Sequence, residues 1–193
     1  MFIANYNEGL VLKVSQDKRD ALAEFYRTIE IRAYRMAEIE TRSSGDAMDL
    51  VQDAMMALMQ KYASRPEDEW RPLFYRILQN KIRDWQRRGN VRNRILSFFG
   101  NTSTDDQEIE PQAPTEVANP EQQLSLDVSI EQLEAALSRL SPRQRQVFLL
   151  RKWEGFNVAE TASIMGCSDG TVKTHLSRAI EILRQQLEAY DER

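Results

Sequence analysis

The chain predicts an all-α fold of two small helical domains joined by a flexible acidic linker, with a helix-turn-helix in the second domain. Three observations carry this. Apolar residues recur at three- and four-residue spacings in both halves, the period of helices that bury one face. No alternating strand pattern of convincing length and no internal repeat appears. A polar, proline-punctuated stretch without cations separates the halves, the composition of a tether rather than a core. At 193 residues the chain can bury one or two cores without staples. The division expected is 1–95 for the N-terminal domain, 96–128 for the linker and 129–193 for the C-terminal domain.

The first helix shows in Leu22, Phe25, Tyr26, Ile29, Ala33, Met36 and Ala37, and Arg42-Ser43-Ser44-Gly45 ends it. Asp46 is then expected to cap a second helix, in which Leu50, Val51, Ala54, Met55, Leu58 and Met59 repeat at helical spacing until Tyr62. Arg65-Pro66-Glu67-Asp68-Glu69 reads as a loop. Pro72 suits the first turn of a third helix, expected to run to about Arg88 before Gly89-Asn90 interrupts it. From Gly100 to about Asn119 the chain is polar, contains Pro111 and Pro114, and lacks an apolar period. Four helix starts follow: a capping box at Ser129-Ile130-Glu131-Gln132, Ser141-Pro142, Asn157 with Glu160, and Ser168.

Composition narrows the function. With 41% hydrophobic and 29% charged residues, 7 Gly and 6 Pro, collagen-like, silk-like and wholly disordered chains are excluded. The single cysteine, Cys167, forbids an intramolecular disulfide, and a single histidine leaves no His/Cys zinc set. No cofactor is expected, and a reducing cytosol is the expected compartment. No basic leader precedes a long apolar run, and none approaches the roughly 20 residues that cross a bilayer, so no membrane insertion is expected. The chain also lacks a phosphate-cradling glycine loop and a nucleophile-base pair, which argues against an enzyme.

The net charge of −4 hides a segregation: −4 over residues 1–70, +7 over 71–94, −9 over 95–138 and +2 over 139–193. Such asymmetry suggests contact with a polyanion at one place and with something else at another. On a helical wheel Arg76, Asn80, Arg83 and Arg87 form one stripe, opposite Phe74, Leu78, Ile82 and Trp85. The apolar side must pack, so the basic side faces outwards, where it meets phosphates and base edges or is merely solvated. Trp85 reads as a core aromatic.

Residues 157–165, the turn Gly166-Cys167-Ser168 and a longer helix through Leu183 give the order of a DNA-reading helix-turn-helix, or of an ordinary helical hairpin. Val172, Leu176, Ala179 and Leu183 anchor the second helix. Its reverse side carries Gly170, Thr174, Ser177 and Glu181, flanked by Lys173 and Arg178. Small residues let a helix approach the floor of a major groove, and the cations reach guanine acceptors or phosphates. Cys167 reads as a small turn residue, and His175 as a phosphate contact or a merely exposed side chain.

Three stretches in this order resemble an extracytoplasmic-function (ECF) sigma factor, of the bacterial primary-type RNA polymerase sigma family. They are residues 46–55 (DAMDLVQDAM), residues 75–88 (YRILQNKIRDWQRR), and residues 140–148 (LSPRQRQVF) leading to 166–179 (GCSDGTVKTHLSRA). The resemblance covers about residues 20–95 and 129–187. It implies a transcription initiation factor that binds core RNA polymerase and directs it to promoters, with no catalysis of its own. Asp49, Gln52, Asp53 and Met56 would dock on the polymerase. Arg76, Asn80, Arg83, Arg87 and Arg88 would hold the melted −10 element, beside a base-capturing pocket near Tyr62 to Trp70. Lys173, Thr174, Ser177 and Arg178 would read the double-stranded −35 element. An anti-sigma factor is a further partner that the resemblance implies. A regulator that binds its own operator as a dimer is the competing reading, and it accounts for neither the acidic helix nor the basic one. The acidic linker, with Asp105, Asp106, Glu108, Glu110 and Glu116, is expected to thread a positively charged polymerase channel or to serve only as a spacer.

Overall fold

The computed structural model describes residues 15–98, Leu133 and residues 135–191, and every regular element among them is helical. The tether at 100–119 and the capping box expected at Ser129-Gln132 lie outside the described residues.

Helix α1 spans Gln16–Thr41, capped by Ser15, whose side chain accepts from the Lys18 amide, and ended by Arg42 in the left-handed region (φ 55). Helix α2 spans Ser44–Tyr62. Its cap is Ser43 rather than Asp46: the extended backbone of Ser43 aims its hydroxyl at the Asp46 amide. Asp46 instead stands in the first turn, where its carboxylate complements the helix dipole.

Helix α3 spans Glu67–Phe98 and departs from expectation at both ends. Glu67, Asp68 and Glu69 form its first turn rather than a loop, because acidic groups that look like loop composition suit the positive end of a helix. Only residues 63–66 link α2 to α3. Pro72 therefore lies in the second turn, where it removes a single helix bond. Gly89-Asn90 does not interrupt the helix. One glycine costs about 1 kcal/mol relative to alanine, too little to end a helix already packed over several turns. The helix also runs past residue 96, where the sequence predicts the start of the linker.

The three helices pack around Leu22, Ile29, Ala33 and Met36 of α1, Leu50, Val51, Ala54 and Leu58 of α2, and Phe74, Leu78 and Ile82 of α3, all buried. Trp85 packs against this core only half-buried. These are the periodic positions of the sequence, as is the buried Met55, with Ala47 beside them.

In the second domain α4 (Pro142–Phe148) begins with a complete capping box: the Ser141 hydroxyl accepts from the Gln144 amide and the Gln144 side chain accepts from the Ser141 amide. A π-helical turn, Leu149–Trp153, follows, with the Glu154 amide donating to the Leu149 carbonyl at 2.9 Å. Helix α5 (Val158–Met165) opens on a second capping box between Asn157 and Glu160 and ends at Gly166 in the left-handed region (φ 64). Helix α6 (Asp169–Asp191) starts where the Ser168 hydroxyl accepts from the Thr171 amide at 3.2 Å. Asn157→Ala should lower stability by about 1 kcal/mol by freeing a helix amide. Gly166→Ala should lower it by about 1–2 kcal/mol, because a Cβ strains the left-handed turn. Thermal melts of the two variants check both values.

Candidate nucleic-acid interface

On α3 the Arg76, Asn80, Arg83, Arg87 and Arg88 side chains are all exposed, and Phe74 and Leu78 on the reverse side are fully buried. The helix thus presents one basic stripe on an anchored support. Arg87 reaches Asp84 at 3.2 Å, but both side chains are more than half exposed, so water and salt screen the pair and leave the guanidinium available. A groove of negative potential would find these cations close together, which is how phosphate binding raises affinity.

On α6 Lys173, Thr174, Ser177 and Arg178 are exposed, whereas Val172, Ala179 and Leu183 are buried. The Thr174 hydroxyl donates to the Gly170 carbonyl at 2.9 Å and so lies against its own helix. Between them Gly170, Ser177 and Thr174 keep this face low. Cys167 in the turn and His175 on α6 are half-buried.

On α2 Asp49 and Asp53 are exposed, and Gln52 and Met56 are half-buried. Lys81 of α3 holds the Asp53 carboxylate at 2.8 Å. This pair links the acidic helix to the basic one on a face open to solvent. Near the expected base pocket, Trp70 is 1% exposed and its indole N–H donates to the Tyr62 carbonyl at 3.2 Å. The Lys18 ammonium lies 5.4 Å from its ring centre, and the Phe25 ring packs 5.9 Å away. Trp70 thus closes the turn between α2 and α3 and offers no free face on which a base could stack.

Comparison with known families gives two matches in chain order. The family described as Sigma-70 region 2 matches residues 22–92, and Sigma-70, region 4 matches residues 130–183. The chain belongs to the sigma-70 family, as an ECF sigma factor. This sigma factor is similar to the RNA polymerase sigma-E factor of Streptomyces avermitilis, 28% identical over 87% of this chain and 86% of that one. It is likewise 28% identical to the ECF RNA polymerase sigma factor SigM of Mycobacterium tuberculosis, over 89% of this chain and 79% of that one. In fold it is similar to CnrH, solved in complex with the cytosolic domain of CnrY: TM-score 0.59 at 20% identity, covering 89% of this chain and 90% of that one. RpoE of Bartonella quintana, solved with the anti-sigma factor NepR, also gives 0.59, at 23% identity over 86% of this chain and 97% of that one.

The sigma factor's two domains touch each other, a contact that helical periodicity does not announce. Glu40 of α1 and Arg145 of α4 form an ion pair at 3.0 Å with side chains only 3% and 10% exposed. The Gln86 amide of α3 donates to the same Glu40 oxygen at 3.0 Å. Arg71 of α3 pairs with Glu154 at 3.2 Å and also donates to the Glu154 carbonyl. The Tyr75 and Phe156 rings meet edge to face at 5.3 Å. Burial, and next the Glu154 charge, push the Tyr75 hydroxyl far above the usual tyrosine range, so it stays protonated. Among the described residues no helix is long and apolar enough to cross a membrane.

Proposed function

We propose that this sigma factor binds core RNA polymerase, reads −35 DNA with its C-terminal helix-turn-helix, and captures the melted −10 non-template strand with its N-terminal domain. It is a promoter-directing initiation factor and not an enzyme; the polymerase performs the chemistry. One observation carries the assignment of residues: both sets of proposed DNA contacts lie on exposed faces of helices whose opposite faces are buried. In this reading residues 1–95 bind polymerase and the −10 element, 96–128 tether the domains, and 129–193 read the −35 element. Asp49, Gln52, Asp53 and Met56 meet the polymerase. Acidic groups there favour encounter and register with a basic partner surface.

Because the work is done on polymerase, the proposed site of action is the cytoplasm. An anti-sigma factor is a proposed regulator, supported by the partner named with the similar RpoE structure. The experiment is a native gel with and without core polymerase, followed by mapping of transcripts made by the reconstituted holoenzyme. Tight operator binding by a dimer of the chain alone, with no association with core, would overturn the proposal. Within it, Arg178→Ala should weaken recognition at one or two −35 positions by about 1–3 kcal/mol each. Transcription from a library of −35 variants checks this: base preference should relax locally, while the −10 preference stays.

A further inference from the structure

We propose that Met48 and Met56 of α2 form an oxidation-sensitive site within the surface proposed to meet core polymerase, where peroxides convert their thioethers to sulfoxides and so weaken holoenzyme assembly. This rests on the polymerase-binding role proposed above and adds to it a residue, Met48, and a means of regulation.

The sequence concentrates its thioethers on one helix. Four of its 7 methionines, Met48, Met55, Met56 and Met59, stand within α2. At about 100° per residue they occupy one sector of the helical wheel, about 100° wide. On one side that sector borders the buried Val51 and Leu58, and on the other the exposed Asp49 and Asp53. Exposure changes across it. Met55 is buried and Met59 packs against the core, filling space as methionine does in irregular interiors. Met56 is half-buried, and Met48 is 46% exposed. A core-filling role explains Met55 and Met59 but not Met48, whose apolar surface lies in water next to Asp49.

Methionines in this position suit an interface. They are enriched where proteins meet, while carboxylates are depleted from interface centres, and an unbranched thioether adapts to the contour of a partner. Met48, Gln52 and Met56 follow one another at four-residue intervals, and Asp49 and Asp53 form the neighbouring row. Apolar polymerase surface would cover the thioethers while cations at the rim meet the carboxylates. The same exposure admits an oxidant. The sulfur lone pair attacks one oxygen of hydrogen peroxide, the O–O bond breaks, and thioether plus peroxide become sulfoxide plus water; sulfur is oxidised and peroxide reduced. A sulfoxide is a strong acceptor where the thioether was a weak one. Covering it without a donor leaves a desolvated polar group, which opposes assembly. Methionine sulfoxide reductases, with two thiols as reductant, return the oxygen to water, so the block is reversible. Met36 and Met165, buried in the two domains, are shielded from the same oxidant.

The test treats the full chain with hydrogen peroxide, removes the oxidant, and titrates untreated core polymerase with the product; peptide mass spectrometry locates the added oxygen. Met48 and Met56 should gain it first, Met36 and Met165 last. Affinity for core should fall about 10-fold, with the helical circular dichroism signal retained. Recovery with a methionine sulfoxide reductase, and not with dithiothreitol alone, separates sulfoxides from oxidation at Cys167. For each variant the measured quantity is the ratio of core affinities before and after peroxide, so an altered starting affinity does not enter. Met48→Leu combined with Met56→Leu should lose less than about 2-fold, since leucine keeps the apolar bulk and forms no sulfoxide. Met59→Leu should lose as much as the unaltered chain. Oxidation that spares Met48, undiminished binding by the oxidised chain, a double variant that loses as much as the unaltered chain, or loss of helix in step with loss of binding would overturn the site. Failure of the untreated chain to bind core would overturn the proposed function and this site with it, a result distinct from all of these.

Discussion

Replacing Arg76, Arg83 and Arg87 together with alanine should abolish promoter-directed transcription and leave association with core polymerase intact. The three side chains are exposed and lie on one stripe of α3. The pairing of Arg87 with Asp84 is open to solvent, so losing it disturbs the fold little. In the proposed function their work lies in binding. Contacts of this kind contribute about 1–3 kcal/mol each where a base is read, and each lost phosphate contact lowers the salt slope on single strands by about 0.7. Three losses on one stripe amount to at least about 100-fold in promoter occupancy, allowing for incomplete additivity. Multiple-round transcription at a mapped promoter, beside a native gel for core binding, measures both halves. Transcript yield within a few-fold of the unaltered chain would remove the basic stripe from the proposed machinery. Loss of core binding as well would show that the stripe serves assembly instead.

That stripe is legible in the sequence because a helical period states which residues share a side. Phe74, Leu78 and Ile82 have to be buried, so Arg76, Asn80 and Arg83 have to face away. The same logic places Val172, Ala179 and Leu183 beneath Lys173, Ser177 and Arg178. Caps at Ser141 and Asn157 are equally readable, since their partners Gln144 and Glu160 stand three residues on. The departures from expectation have a common cause in balances of energy that composition does not display. Glu67, Asp68 and Glu69 have the composition of a loop, yet their charges favour the start of a helix. Gly89 resembles a stop, yet its penalty is small against a packed helix. The π turn at Leu149–Trp153 leaves no mark in a 3.6-residue pattern, although it is what brings Glu154 and Phe156 round to α3.

The contact between domains is harder to read from the chain, although it leaves one signal there. Glu40 follows Ala33, Met36 and Ala37 at helical spacing, a carboxylate on what should be an apolar stripe, and it is buried there. Arg145 likewise stands four residues before the buried Leu149. Charged residues at apolar register positions are paired when buried, because an isolated ion is too poorly solvated inside a protein. Pairing across domains has no fixed separation along the chain, so periodicity identifies the candidates without naming the partner.

Trp70→Ala should destabilise the N-terminal domain by about 3–5 kcal/mol, the range for emptying a large aromatic site in a core. The side chain is 1% exposed, packs on Phe25, and ties its indole N–H to the Tyr62 carbonyl across the turn between α2 and α3. With total stability for such domains near 5–15 kcal/mol, the loss is a large share. Trp70→Phe retains most of the apolar surface and loses one hydrogen bond, so it should cost less, about 1 kcal/mol, because the Tyr62 carbonyl still accepts from the Arg65 amide at 3.0 Å. Urea denaturation followed by circular dichroism gives both values. The order of effects separates a structural tryptophan from one that stacks on a base: in this fold Trp70→Phe, once folded, should initiate at the same promoters with the same base preferences. A folded Trp70→Phe chain that bound core normally but failed to melt the −10 element would place the indole in the strand-capturing surface after all, and the turn that it closes would then have to open when DNA binds.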